Sequence, residues 1–425
     1  MASHGSEGRV AASGKRRVPG ARRPRIYVHI GEPKTGTTFL QHVMWDNRGT
    51  LAARGILLPG YTRRDHSRAS RDLRGTPRPD SDPADPWTGE WDVLIGQALC
   101  AREAAVISDE VLVASTAEQA DRAVWSLLPA EVHVVVTVRD FATLLWAEWQ
   151  EEVKCRGTEP WEAWLEGVVG AGPAAGRRDA SWFWKIHDTL AILDTWSRHI
   201  PPDHVHVITM PRQGPAGALW ERFASVLGTD AGGVDIDGAR SNPSLGAVEA
   251  EFLRRMNQAL PAQMPDWFYT RNIKRILAHD ILSARPGQTR LILPPGLEAW
   301  ACAQSESLVA SLRESKYHIV GDLADLLPVP AAGSYLGPSD HPAEALLDAA
   351  VHAVAAMAHT HYQQIFPPRP PRQRLGPRQR LSKLKWAMLN GPRTKRVLRN
   401  ASRRPGVRRL RVLIWRVLMR PDRHR

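Results

Sequence analysis

The sequence predicts an α/β protein built on a doubly wound, mostly parallel sheet with flanking helices. Short β-rich apolar runs alternate with segments whose apolar residues recur at helical spacing, the pattern of a parallel sheet with helical crossovers. One run, 132–138, is apolar on both faces, as a strand buried between two helical layers must be. The first run passes through a glycine-containing turn directly into a helical pattern, giving strand, loop and helix in sequence.

The elements follow in chain order. Residues 1–24 are rich in Gly, Ser, Ala and Arg, lack periodicity and read as disordered. Order begins at Arg25 with Ile26-Tyr27-Val28-His29-Ile30, then Gly31 to Thr38, then Phe39, Leu40, Val43 and Met44 at helical spacing. Residues 62–90 are charged and Pro-rich and read as a long surface loop. A second strand, Ala104 to Ser108, ends in Asp109-Glu110, and a third, Val132 to Val138, in Arg139-Asp140. A helix is expected from Phe141 to Lys154, a fourth strand over Val205 to Thr209, and helices over Leu219 to Leu227 and Val248 to Leu260. A last helix over 342–364 carries Leu346, Leu347, Ala350, Val351, Val354 and Met357 on one face.

Composition sets bounds. The 425 residues suffice for one large α/β domain with extensions, and the hydrophobic fraction of 43% is ordinary for a globular core. We divide the chain into a basic N-terminal segment (1–24), a main α/β domain (25–330), an accessory helical segment (331–368) and a basic tail (369–425). The net charge of +13 belongs to the ends. Beyond Pro368 there are 20 Lys and Arg against Asp422, so the body between the basic ends is acidic. Nucleic-acid binding by the folded domain is therefore not expected. Cys100, Cys155 and Cys302 are scattered without metal spacing and suit a reducing compartment, so a cytoplasmic location is expected. No signal-like h-region follows the N-terminus, and no apolar run reaches membrane-spanning length.

The most informative stretch is Gly31-Glu32-Pro33-Lys34-Thr35-Gly36-Thr37-Thr38. Backbone N–H groups at a turn that opens a helix converge on an anion, and the helix dipole adds positive potential. Gly31 and Gly36 have Walker A spacing, but Thr37 stands where that motif has lysine, and the lysine lies inside the loop at position 34. Pro-Lys-Thr-Gly-Thr-Thr resembles the 5′-phosphosulfate loop of sulfotransferases that use 3′-phosphoadenosine-5′-phosphosulfate (PAPS). The order of later segments resembles a bacterial branch of that family: Ile107-Ser-Asp-Glu110, Val138-Arg-Asp, Trp149 to Lys154, Trp196, and Asn242-Pro-Ser-Leu245. The likeness covers about 25–330 and implies a P-loop-like sulfotransferase fold.

The resemblance also implies roles. Pro33, Lys34, Thr35, Gly36, Thr37 and Thr38 would bind the donor's 5′ end, with Lys34 stabilising the leaving phosphate of adenosine 3′,5′-bisphosphate. Arg139 would hold the 3′-phosphate. The family places a serine two helical turns later, where this chain has Ala147. Thr143 or a later basic residue would then assist Arg139. The acceptor's proton needs a base, and the family uses His or Glu: His66 in the polar segment and Glu110 beyond a strand end are the candidates. Sulfuryl oxygens carry less charge than phosphoryl oxygens, so no metal is expected in the reaction.

Other residues are weighed against simpler roles. Asn242 and Ser244, with Arg240, could close over the donor, although a turn and helix cap explains them equally. Trp146, Trp149, Trp161, Trp164, Trp182 and Trp184 read mostly as core. His29 and His133, inside strands, read as packed. The tail interleaves Arg and Lys with an apolar cluster at 410–419, a pattern suited to a helix on an anionic bilayer at the inner membrane surface. A solubilising disordered tail, nucleic acid and a partner protein are its alternatives. The acceptor, whether carbohydrate, glycolipid or small metabolite, and the oligomeric state are not encoded legibly. Two competing functions remain: a P-loop kinase or NTPase with a displaced lysine, and a non-enzymatic nucleic-acid or membrane-binding protein.

Overall fold

Val, Ile and Ala dominate the strands, and their alternation sends side chains into two separate cores. The computed structural model describes residues 23–76, 88–172, 181–238, 244–289, 291–329 and 335–366. The strands are β1 (Arg25–Gly31), β2 (Ile56–Leu57), β3 (Ala104–Ser108), β4 (Glu131–Val138), β5 (Val205–Thr209) and β6 (His318–Val320). They form one sheet in the order β2-β3-β1-β4-β5-β6, and every pairing is parallel. On one face, Tyr27, Val106, Val135 and Ile208 pack with Leu40, Val43 and Met44 of the helix Thr37–Asp46 and with Trp220 and Phe223 of Ala218–Leu227. On the other, Ile26, Val28, Ile30, Ile107, Val134, Val136 and Val207 meet a larger core that includes Phe141–Lys154 and Pro295–Glu314. The period of two in each strand thus feeds two helical layers, which is the doubly wound α/β architecture.

Strand order fixes where a ligand can enter. The chain leaves β1 toward β3 and β2, then returns to the other side of β1 for β4, β5 and β6. Connections diverge at the carboxyl ends of β1 and β4, and that divergence opens a crevice. Gly31 and Arg139 sit at those two strand ends.

One expectation is corrected. Residues 62–90 are not one long loop: Arg63–Leu73 and Glu90–Ala98 are helices, residues 77–87 between them lying outside the described range. Asp65 accepts from the N–H groups of Thr62 and Tyr61 (3.0 and 2.8 Å), capping the first of these helices, and Ala69, Ser70 and Leu73 are buried along it. A strongly polar sequence therefore hides a narrow inward stripe. The helix at 343–365 turns Ala349 and Ala353 inward and leaves Leu347, Val351 and Val354 exposed, so its larger apolar side chains do not form the buried stripe. The basic tail, Arg240 and Asn242 lie outside the described residues. Among the described residues, no helix is long and apolar enough to cross a membrane.

Candidate functional site

The turn after β1 has the backbone its sequence requires. Gly31 (φ +94°) and Gly36 (φ +85°) occupy the left-handed region, where a Cβ is strained. A Cβ on Gly36 would come within 2.3 Å of Leu219, and one on Gly31 within 3.1 Å of Glu110. Lys34 is also left-handed (φ +61°), one of two non-glycine residues so placed among those described. Such a conformation costs on the order of 1 kcal/mol and marks a constrained loop.

Of the threonines, Thr35 faces inward. It is fully buried, and its hydroxyl lies 2.5 Å from the Glu32 carbonyl and 2.6 Å from Thr137 Oγ1 of β4. The expected hydroxyl contact to a donor is therefore corrected for Thr35: its side chain ties the loop to the sheet. Thr37 opens the following helix behind Gly36 and is buried, whereas Thr38, Pro33 and Lys34 are partly exposed.

Below the loop lies a buried charged triad that sequence reasoning missed. Glu32 Oε1 accepts from Thr189 Oγ1 (2.5 Å), and Glu32 Oε2 lies 3.5 Å from His187 Nδ1. The other nitrogen of His187 lies 3.5 Å from Glu148 Oε2. Burial alone would lower the His187 pKa, but the two carboxylates outweigh it and raise it. Placed between two acids, which favour its charged form, the His187 ring links the loop to helices on either side.

Lys34 has a firm partner: its Nζ lies 2.5 Å from Glu151 Oε2. Glu151 Oε1 takes Lys274 at 2.6 Å. Burial would raise the Glu151 carboxyl, but Lys34 and Lys274 hold it well below the usual carboxylate range. Lys154 is buried next to them, and its ammonium is pulled down to about 8, first by burial and then by the charges of Lys34 and Lys274, with Glu151 opposing. His279 is pushed down to about 4 by burial and by Lys154. Around the loop lysine, then, Lys34 and Lys274 share one carboxylate, with the Lys154 ammonium close by. Glu148, Glu151 and Lys154 recur every third residue on one helix, so a single face aims all three at the loop. The i,i+3 spacing was visible in the sequence; the partners were not.

Arg139 donates from Nη1 to the Lys34 carbonyl (3.3 Å), joining the end of β4 to the crown of the loop. Asp140 caps the next helix by accepting from the Thr143 N–H at 2.9 Å. From Arg139 a cavity of about 930 Å³ opens, lined among others by Thr143, Trp146, Ala147, Arg212 and Ser244. Gln150 fixes its far wall, accepting from the Leu245 N–H (2.6 Å) and bonding Ser244 Oγ (3.1 Å).

No family model matches the chain, and no curated protein matches it in sequence. Among solved structures, a sulfotransferase from Alicyclobacillus acidocaldarius is similar, at 14% identity and a TM-score of 0.36, covering 56% of this chain and 93% of that one. The likeness is too distant to bear on the role of any residue.

The two expected bases are placed very differently. Glu110 stands against Gly31, half-buried, with Oε2 accepting from Gln41 Nε2 at 2.9 Å. His66 is a correction. It is fully buried in the helix Arg63–Leu73, not in a polar loop. Its Nε2 is 2.8 Å from the Pro59 carbonyl, and its Nδ1 lies 3.1 Å from the Ser108 N–H. With both nitrogens engaged and burial lowering its pKa, it fastens a helix to the end of β3 and has no path to an acceptor. Trp146, Trp149, Trp161 and Trp164 pack against one another, in accord with the core reading. Trp184 is buried as well, whereas Trp182 is exposed.

Proposed function

We propose that the chain is a sulfotransferase that moves a sulfuryl group from PAPS to a hydroxyl or amine of a carbohydrate, glycolipid or small-metabolite acceptor. The observation that carries this reading is the Lys34 ammonium on a strained strand–turn–helix loop, linked through its own carbonyl to Arg139 at the mouth of a 930 Å³ cavity. A nucleotide bound there would lay its 5′-phosphosulfate on the loop amides and its 3′-phosphate near Arg139. Ala147 brings no hydroxyl to that cavity, but Thr143 and Ser244 line it and supply two.

In the reaction the acceptor oxygen or nitrogen forms a bond to sulfur as the bond from sulfur to the bridging phosphate oxygen breaks. Lys34 offsets the charge that grows on the departing phosphate. Lys154 and Lys274 add positive potential in the same region. Glu110, at the carboxyl end of β3, is the base we assign to the acceptor's proton. Fixed groups do most of this work by position and charge.

Thermal melting tests the proposal. Adenosine 3′,5′-bisphosphate at about 100 times its dissociation constant should stabilise the protein by about 2.7 kcal/mol, with little effect from ATP and Mg²⁺. Stabilisation by ATP and Mg²⁺ alone would make it a kinase or NTPase. A melting temperature moved by neither nucleotide would remove the enzyme reading.

A further inference from the structure

At the end of the sheet opposite the loop, four histidines meet where strands begin. His133 lies near the start of β4, His204 in the turn before β5, His206 in β5 and His318 at the start of β6. His133 Nδ1 is 2.9 Å from His206 Nε2, and His206 Nδ1 is 2.8 Å from His318 Nδ1. The remaining nitrogen of His133, Nε2, faces Glu131 Oε1 at 3.0 Å, and His204 Nε2 lies 3.9 Å from the same oxygen.

We propose that Glu131, His133 and His204 bind one divalent transition-metal ion, with zinc the best fit and a water as fourth ligand. One ligating atom from each of the three lies within 4.8 Å of the others. Two imidazoles and a carboxylate are a donor set that zinc accepts in tetrahedral geometry. Metal–ligand distances of about 2.0–2.1 Å set tetrahedral ligand atoms roughly 3.3–3.4 Å apart. The 3.0 Å pair already matches that span to within a few tenths of an ångström, and closing the 4.8 Å spread of the set asks His204 to move inward by roughly 1.4 Å. It can do so, because it ends a short surface turn and keeps 26% of its side chain exposed. The His133 and His204 rings stack at 4.2 Å, which keeps their edges side by side. Glu131 is 43% exposed, so an ion reaches the group from solvent.

The surroundings orient His133 as a second shell orients a ligand. Protons in the three-ring chain can run either way. When Nε2 of His133 donates to Glu131, its Nδ1 accepts from His206, which in turn accepts from His318. When Nε2 gives its lone pair to an ion, the Nδ1 proton is donated to His206 Nε2, and His206 donates onward to His318 Nδ1. Each ring stays neutral and each link keeps one proton, so the chain admits a cation by exchanging tautomers, with no proton lost from the rings. Tyr27 stacks on His133 at 4.7 Å, and the Arg25 guanidinium, 3.2 Å from the Tyr27 hydroxyl, is a nearby positive group that works against the ion. The Glu131 carboxylate offsets it. Bound metal would join the start of β4 to the turn that precedes β5. The proposal is independent of what the loop at the other end does.

The test uses the full chain, stripped of metal and titrated with Co²⁺. One equivalent should produce the visible absorption of four-coordinate cobalt, and Zn²⁺ should abolish it and raise the melting temperature. Glu131→Gln and His204→Asn, both at solvent-facing positions, should each weaken cobalt binding at least about tenfold, the minimum for losing a group that shapes the site. Their metal-free melting should be unchanged. A double variant of exposed helix histidines, His359→Ala with His361→Ala, should bind as the wild type does. Failure to take up a stoichiometric ion would overturn the site, and so would binding that survives both Glu131→Gln and His204→Asn.

Discussion

Lys34 and Glu151 face each other at 2.5 Å, and each constrains what the other can do. In the proposed reaction Lys34 acts on charge that develops only as the phosphate departs, so its loss should cost turnover more than binding. Lys34→Ala should lower kcat by about 10²–10³-fold, the scale of removing one such stabilising donor. The bisphosphate affinity should change far less, and a variant with near-normal kcat would sink the assignment. Glu151→Gln should act in the opposite sense on binding. Without that carboxylate, Lys34, Lys274 and Lys154 keep their charges with less to offset them, so the bisphosphate should bind several-fold tighter while the metal-free, ligand-free protein melts lower. Calorimetric titration checks it, and weaker binding would mean that Glu151 itself touches the nucleotide.

At the scale of elements, the loop is held by its neighbours more than by itself. The Glu32–His187–Glu148 triad spans the turn, the segment at 181–197 and the helix Phe141–Lys154. His187 has a raised pKa when folded, so charged His187 contributes stability in full below about pH 6.5 and loses it as pH rises through the raised value. His187→Gln should therefore cost about 3–5 kcal/mol at pH 6, the range for breaking a buried charge pair, and the gap to wild type should narrow toward pH 9. A gap that stays constant with pH would show that His187 is neutral in the fold. Sequence legibility divides along the same line. Strands β1, β3, β4 and β5 were readable because each packs at least three Val, Ile, Ala or Tyr residues into a run of five or more positions. β2 and β6, with two and three residues, carry no periodicity to read. The turn at 31–38 was legible because backbone angle demands glycine at fixed places. His66 misled because a polar stretch says nothing about which way its one imidazole turns. Glu151 and His187 escaped because their partners stand 117 and 155 residues away.

For the whole molecule, the sheet separates two chemistries. The loop and Arg139 occupy the carboxyl ends of β1 and β4, while Glu131 and the histidines occupy the amino ends. β4 has eight residues, and at about 3.3 Å per residue they keep the two regions some 23 Å apart. Because β4 is buried from Val132 to Val138 between two helical layers, we expect no coupling between the two ends. The bisphosphate dissociation constant measured with and without saturating Zn²⁺ should agree within about twofold. A larger difference would show that the sheet itself moves.

The left-handed backbone at Lys34 has a consequence of its own. Glycine would sit at that angle without strain, and a chain selected for durability alone would have it there. A long, charged side chain at such a spot trades robustness for reach. Whatever this protein does with that ammonium group, it gives up some ruggedness to keep it there.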